Sequence, residues 1–356
     1  MTLFSEKDQN QITNHGMTVD TVEHQLKQFN AGFPPINLDR VASIGDGIQR
    51  FDAQAIEQLQ ATFETAAPEI KILKFVPASG AASRMFQALF AFLDDHQKTA
   101  AIQEFEEKLE NFAFVDQLKK IAKNDTTESY IETVLNDMQF GQLPKALIPF
   151  HSYDNGNRTA IEEHLIEGVE YANSNNSIAL HFTVSPEHEA KIKALLDQVV
   201  PPIEAQHGVE FSISFSIQSP GTDTIAADES NSPFRTVDGD LFFRPGGHGA
   251  LIKNLNEQDA DLIFVKNIDN VRPDAQKPDT IKYKKVIGGF LIQQKNKIHS
   301  LTSLLEQDAI TVAEAEQIFV HELGFTLPEA FHQEDDRSKK LQLLSWLDRP
   351  IRVCGM

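Results

Sequence analysis

Short apolar runs alternate with longer helical patterns through the middle of this chain, and that alternation constrains its fold most. Residues 70–76 (IKILKFV), 177–184 (SIALHFTV), 209–218 (VEFSISFSIQ) and 262–265 (LIFV) read as strands. Residues 159–171 and 186–200, lying between them, repeat their apolar positions at helical spacing. This order predicts an α/β fold with a mainly parallel central sheet, decorated by helices. In such open sheets, ligands bind outside the carboxyl ends of the strands. Residues just past each run are therefore the first to inspect.

The flanks are read as follows. Residues 1–69 form an N-terminal helical region, with amphipathic patterns at 19–29 and 52–63. Residues 70–300 form the α/β domain, interrupted at 86–142 by a helix-rich, acid-faced insertion. Residues 301–356 form a C-terminal helical region. Within this frame RPDAQKPDTIKYKK reads as a lysine-rich loop and residues 286–293 as a further strand. The last residues, 351–356, read as the middle of a strand, so a continuation is expected there.

Charge and composition exclude several classes of function. With 32 Lys and Arg against 52 Asp and Glu, the net charge is -20, so no basic excess exists to displace counterions from a nucleic acid or an anionic membrane. The one cysteine, Cys354, permits no intrachain disulfide. The opening residues lack a basic n-region and an apolar h-region, and no apolar run reaches spanning length. A cytoplasmic location is expected.

Five segments carry chemistry-bearing residues. Ser79-Gly80-Ala81-Ala82-Ser83-Arg84 follows a strand and opens a helical stretch. Small residues bring backbone N–H groups close to phosphate oxygens, Ser83 is placed to cap the helix, and Arg84 supplies charge for a leaving pyrophosphate. Lys145, in LPKALIPFH, is placed to reach the same phosphates. Gln218, at a strand end, offers an amide to the polar edge of a base. Pro245-Gly246-Gly247-His248-Gly249 presents bare backbone to a flat base at Gly247, with His248 near sugar or phosphate. Asn267-Ile268-Asp269-Asn270 sets Asn267 towards substrate and offers Asp269 as a hard oxygen ligand for Mg²⁺. Each has a plain structural alternative: a strand-to-helix turn, a solvated lysine, a strand-end turn, a flexible loop and an Asx turn.

Two other patterns compete. Asp238-Gly239-Asp240 reads as a hairpin turn, with a D-x-D metal motif of a glycosyltransferase as the alternative. His321-Glu322 lacks H-E-x-x-H spacing, because Phe325 stands where the second histidine belongs.

In their order along the chain, the five segments resemble the sugar-nucleotide nucleotidyltransferases, specifically the UDP-sugar pyrophosphorylase branch. The loop L-x-x-G-x-G-T-R-M is matched by residues 77–85, the proline-lysine by Pro144-Lys145, and the base-reading glutamine by Gln218. The glycine loop is matched by residues 245–249 and the metal aspartate by Asp269. The chain also resembles a bacterial domain-of-unknown-function family placed near these enzymes. The resemblance implies a nucleotide-diphospho-sugar transferase fold and nucleoside triphosphate and sugar phosphate as partners. It also implies Mg²⁺ as cofactor, with Arg84 and Lys145 in the catalytic roles. Ser79, Gly80, Ala82, Ser83, Gln218 and Gly247 would then bind nucleotide, and UTP is favoured. A non-catalytic nucleotide-sugar binder is the alternative. The chain departs from the pattern at Ala82 and Ser83, in the long gap between Arg84 and Lys145, and in showing no counterpart of a second metal aspartate.

Overall fold

The computed structural model describes residues 3–355 except 37, 39 and 81, and the backbone alone of residue 248. It divides into two compact units, Met1–Asn37 with Lys71–Pro273 and Leu38–Ile70 with Asp274–Met356.

The first unit is built on strands β1 (Ile72–Pro77), β2 (Pro149–Tyr153), β3 (Gly156–Thr159), β4 (Asn173–Ser174), β5 (Ser177–Val184), β6 (Glu210–Ile217), β7 (Thr224–Ile225), β8 (Phe243–Arg244) and β9 (Leu262–Val265). Its central sheet has the order β9–β1–β5–β6, with every one of these pairings parallel. β4 runs antiparallel to the start of β5, and the separate ladders β2/β3 and β7/β8 are antiparallel. The expected mainly parallel sheet is therefore corrected to a mixed α/β arrangement. In this unit, parallel pairing is confined to the strands whose crossovers contain helices.

Helices α1 (Glu6–Asn14), α2 (Val19–Ala31) and α3 (Ala53–Ala66) match the polar helical patterns near the start of the chain. Ser5, Thr18 and Asp52 accept backbone N–H bonds at their first turns. α1 and α2 pack through Ile12, Val22 and Leu26 onto Ile225 and Leu241.

The insertion holds α4 (Gln87–Asp95), α5 (Ala100–Glu107), α6 (Val115–Ile121) and α7 (Thr127–Glu132). It has its own core, including Phe86, Ile102, Phe114, Leu118, Ile131 and Val134. Beyond it come α8 (Ala160–Tyr171), α9 (Pro186–His207) and α10 (Ile252–Asn256). Thr159 and Glu162 close a capping box on α8. α9 runs on past the expected end at residue 200, through Pro201 and Pro202, and stops at Gly208, whose φ of 67° suits glycine. The sheet's core against α8 and α9 joins Val76, Ile161, Leu165, Leu180, Phe182 and Leu196.

The second unit contains α3, α11 (Lys277–Glu306), α12 (Val312–Gln317) and α13 (Asp336–Leu347). α11 corrects two expectations at once. Residues 277–285 of the lysine-rich stretch are its first turns, with proline near its start, and residues 286–293 are helix rather than strand. A short apolar run does not distinguish the two by periodicity. Here Gly289 lets the α11 backbone approach α3 so closely that an added Cβ would lie 1.9 Å from the Leu59 carbonyl oxygen. Residues 351–355 are neither helix nor strand, which corrects the strand expected there. Among the described residues no helix is long and apolar enough to cross a membrane.

Candidate nucleotide site

The parallel strands deliver the predicted residues to one sheet edge. Across the carboxyl ends in the order β9, β1, β5, β6 stand Asp269, the 78–84 loop, Ser185 and Gln218. Three inter-strand spacings separate the first from the last, about 14 Å.

The loop after β1 is fixed from below. Ala78 is fully buried, and its N–H donates to the Thr183 carbonyl at 2.9 Å. Ala82 is also buried, and its N–H donates to the Leu143 carbonyl at 3.2 Å. Ser79 is half-buried, whereas Gly80, Ser83 and Arg84 are exposed. Residue 81 lies outside the described residues. Ser83 does not cap a helix: Ala82–Arg84 is a 3-10 turn, and α4 begins only at Gln87 behind Phe86, without a side-chain cap. Phe86 instead enters the core of the insertion.

The insertion lengthens the sequence between Arg84 and Lys145 without separating them in space. Its far end returns beside the loop, where the Lys145 N–H donates to the Gly80 carbonyl at 3.4 Å. Lys145 Nζ then donates to Asp269 Oδ2 at 2.5 Å. β9 continues alongside β1 past its last strand residue, because the N–H groups of Lys266 and Ile268 donate to Phe75 and Pro77. One rule sets the layout. Exposed Gly80, Ser83 and Asp269 and partly exposed Lys145 each lie within two residues of buried Ala78, Ala82, Ile268 or Ala146. The apolar neighbour fixes the backbone, and the polar one faces outward.

At the other end of the edge, Gln218 Nε2 donates to the Gly246 carbonyl at 3.2 Å. One of its two amide N–H donors is thus engaged by the glycine loop. A Cβ on Gly246 would lie 2.7 Å from the Thr222 carbonyl oxygen, whereas one on Gly247 meets nothing within 4 Å. The His248 side chain lies outside the described residues. Asn254 of α10 anchors this loop by donating to Ser216 Oγ and to the Ile217 carbonyl. Between the two ends, Ser185 Oγ is buried and, among the described residues, without a hydrogen-bond partner.

Beneath Asp269 lies a buried charged cluster that sequence reading missed. Lys74, His164, Glu167, Tyr171 and Lys266 are all buried. Glu167 accepts from Lys74 at 3.1 Å, from Lys266 at 2.6 Å and from the Tyr171 hydroxyl at 3.0 Å. Burial pushes the Glu167 carboxyl up, but the Lys74 and Lys266 charges outweigh it and hold it at about 2. His164 is pushed well below the usual imidazole value, by burial first and then by the Lys74 charge. One sequence signal existed: Lys74 interrupts an otherwise apolar strand, and His164 and Glu167 share a helix face. A second buried group, His181 between Ser214 Oγ and Ser216 Oγ, was foreshadowed by the alternating serines of β6.

Asp238-Gly239-Asp240 is a turn, with Gly239 at φ 78° and the Thr236 N–H donating to the Asp240 carbonyl. Asp240 pairs with Lys7 at 2.7 Å.

Mg²⁺ is tested by donor chemistry. Among the described residues no group of three or more His, Cys, Asp and Glu side chains is arranged as a metal cage. Mg²⁺ needs none, since it often binds through one or two carboxylates plus substrate phosphates. Asp269, whose side chain is partly exposed, has the donor chemistry for that mode.

A family model covers residues 5–356 of the chain, nearly its full length. The chain belongs to the family described as domain of unknown function (DUF4301). No curated protein matches this DUF4301 chain. Among solved structures it is similar to the uridine diphosphate N-acetylglucosamine pyrophosphorylase from Trypanosoma brucei, solved with an inhibitor. The identity is 14% and the TM-score 0.44, over 82% of the DUF4301 chain and 50% of the other. The DUF4301 chain thus spans half the length of that protein.

Proposed function

We propose that this DUF4301 protein is a nucleotidyltransferase that joins a nucleoside triphosphate, with UTP favoured, to a sugar 1-phosphate and releases pyrophosphate. The observation that carries the reading is Lys145. Its N–H meets the Gly80 loop and its Nζ meets Asp269, so three segments distant in sequence share one sheet edge.

The chemistry would run as follows. A sugar-phosphate oxygen attacks the α-phosphorus, forming a new P–O bond, while the bond from that phosphorus to the bridging oxygen breaks and pyrophosphate leaves with the electron pair. The protein's share is positioning and charge neutralisation. The N–H groups of Gly80 and Ser83 cradle the triphosphate, whereas that of Ala82 is taken by the Leu143 carbonyl, which corrects the nucleotide contact expected of Ala82. Arg84, exposed on the loop's outer turn, faces the leaving pyrophosphate, and Lys145 faces the reacting phosphate. Asn267 lines the sugar-phosphate side. Asp269 would hold Mg²⁺, which when bound neutralises phosphate charge.

A second reading, a non-catalytic nucleotide-sugar binder, is favoured by the Lys145–Asp269 ion pair, which already engages the carboxylate. A pyrophosphate-release assay across triphosphates and sugar phosphates separates the two. Release with one pair supports transfer. Binding with no release for any pair supports the binder, and neither binding nor release contradicts both.

A further inference from the structure

α8 brings two polar side chains under the Asp269 turn, one helical turn apart and fully buried: His164 and Glu167. Glu167 is clamped between Lys74 of β1 and Lys266, which lies just past β9. Lys74 Nζ also donates to the His164 backbone carbonyl at 2.8 Å, so α8 is pinned at His164 itself. From there His164 Nε2 lies 3.2 Å from both the Asn267 and the Ile268 carbonyl oxygens. Both partners are acceptors only, so Nε2 carries the proton. Nδ1 is buried and, among the described residues, has no partner. Burying an unpaired polar atom is costly, and an apolar side chain would avoid that cost. What an apolar side chain would not provide is a donor to those two carbonyls.

We propose that His164 is a positioning residue for Asp269, fixing from inside the protein the turn that carries the carboxylate. The proposal deepens the nucleotidyl-transfer reading and rests on it for its consequence. Asp269 is the residue after Ile268, and the same turn is closed by the Asn270 N–H donating to the Asn267 carbonyl. Lys74, Glu167 and Lys266 serve as the foundation: they hold α8, β1 and the segment after β9 in one register, and His164 transfers that register to the turn.

The test is hydrogen exchange read by mass spectrometry on the full chain without ligand, comparing wild type, His164→Leu and His164→Gln. The glutamine amide nitrogen falls near the position of ring Nε2 and restores a donor. In His164→Leu, residues 266–271 are expected to exchange about tenfold faster, the effect of losing one buried hydrogen bond. Residues 72–77 should stay unchanged, and His164→Gln should return to wild-type rates. Equal rates at 266–271 in all variants would overturn the proposal. So would parallel acceleration of 72–77, or no rescue by glutamine. If His164→Leu does not fold, His164→Asn, whose amide stops short of the carbonyls, is expected to show the same acceleration. Mn²⁺ uptake with UTP, followed by electron paramagnetic resonance, then reads the consequence. It should weaken about tenfold in His164→Leu and recover in His164→Gln, and equal uptake in both would count against the proposal. A wild-type protein that takes up no Mn²⁺ with UTP would sink the functional reading, while the exchange rates still decide whether His164 sets the turn.

Discussion

Lys145 Nζ lies 2.5 Å from Asp269 Oδ2, although 124 positions separate the two residues in sequence. A helical module with its own core also lies in sequence between the loop after β1 and Lys145, yet both of its ends return to that loop. The ion pair therefore marks where the carboxyl edge of the sheet gathers its charged groups.

Asp269 is partly exposed, and exposed ion pairs contribute about 0–1 kcal/mol. Asp269→Ala should therefore leave the melting temperature within a few degrees of wild type while abolishing Mg²⁺-dependent pyrophosphate release. Unchanged release in that variant would remove Asp269 from the site.

Arg84 is exposed on the loop, where its loss removes charge without opening a core. Charge-assisted hydrogen bonds are worth about 1.5–3 kcal/mol, so Arg84→Ala should weaken triphosphate binding by about 10- to 100-fold. Titration calorimetry with UTP checks this, and equal affinity would exclude the role.

Glu167 balances two buried lysines. Glu167→Gln leaves both charges without their counter-ion and should lower unfolding stability by about 3–5 kcal/mol. Urea denaturation measures the loss, and a change below about 1 kcal/mol would show that the cluster is hydrated or otherwise compensated.

His164 gives the protein a pH dependence of definite sign. Its folded-state pKa is lowered, by burial and then by Lys74. Below the ordinary imidazole value of about 6.5, the unfolded chain binds a proton that the native state refuses. Stability is therefore complete above that pH and falls as pH drops below it, by at most about 1.4 kcal/mol per pH unit. Melting curves between pH 7.5 and about 5 should show this slope in wild type and a shallower one in His164→Gln.

Gly289 lies in tight contact with the α3 backbone, since its Cβ would stand 1.9 Å from Leu59 O. Gly289→Ala should force α3 and α11 apart and cost about 1–3 kcal/mol or more, the range for overpacking. Thermal unfolding tests it, and an unchanged melting temperature would mean that the helices separate freely.

The sequence made the sheet edge legible because strand runs are short, apolar and bounded. β5 and β9 begin and end where their patterns do, and the residues just past β1, β6 and β9 are the ones that meet at the edge. Residues 286–293 were misread because an apolar run with paired glycines looks alike in a strand and in a buried helix, and only the approach of Leu59 distinguishes them. The end of α9 was misplaced because proline marks a break only where the lost bonds are not otherwise compensated. Ser83 was read as a cap because the 3-10 turn that delays α4 depends on Phe86 joining a core assembled from distant residues. The Lys74–Glu167–Lys266 cluster escaped notice for the same reason: each charge looks like a surface residue until its long-range partner is known.

The most direct measurement is isothermal titration of UTP with Mg²⁺ into the wild-type chain, Arg84→Ala and Asp269→Ala. A site at the carboxyl edge predicts saturable binding to wild type, weakened about 10- to 100-fold in Arg84→Ala and stripped of its Mg²⁺ dependence in Asp269→Ala. No binding of any nucleoside triphosphate by the wild-type chain, or binding unaltered in both variants, would contradict it.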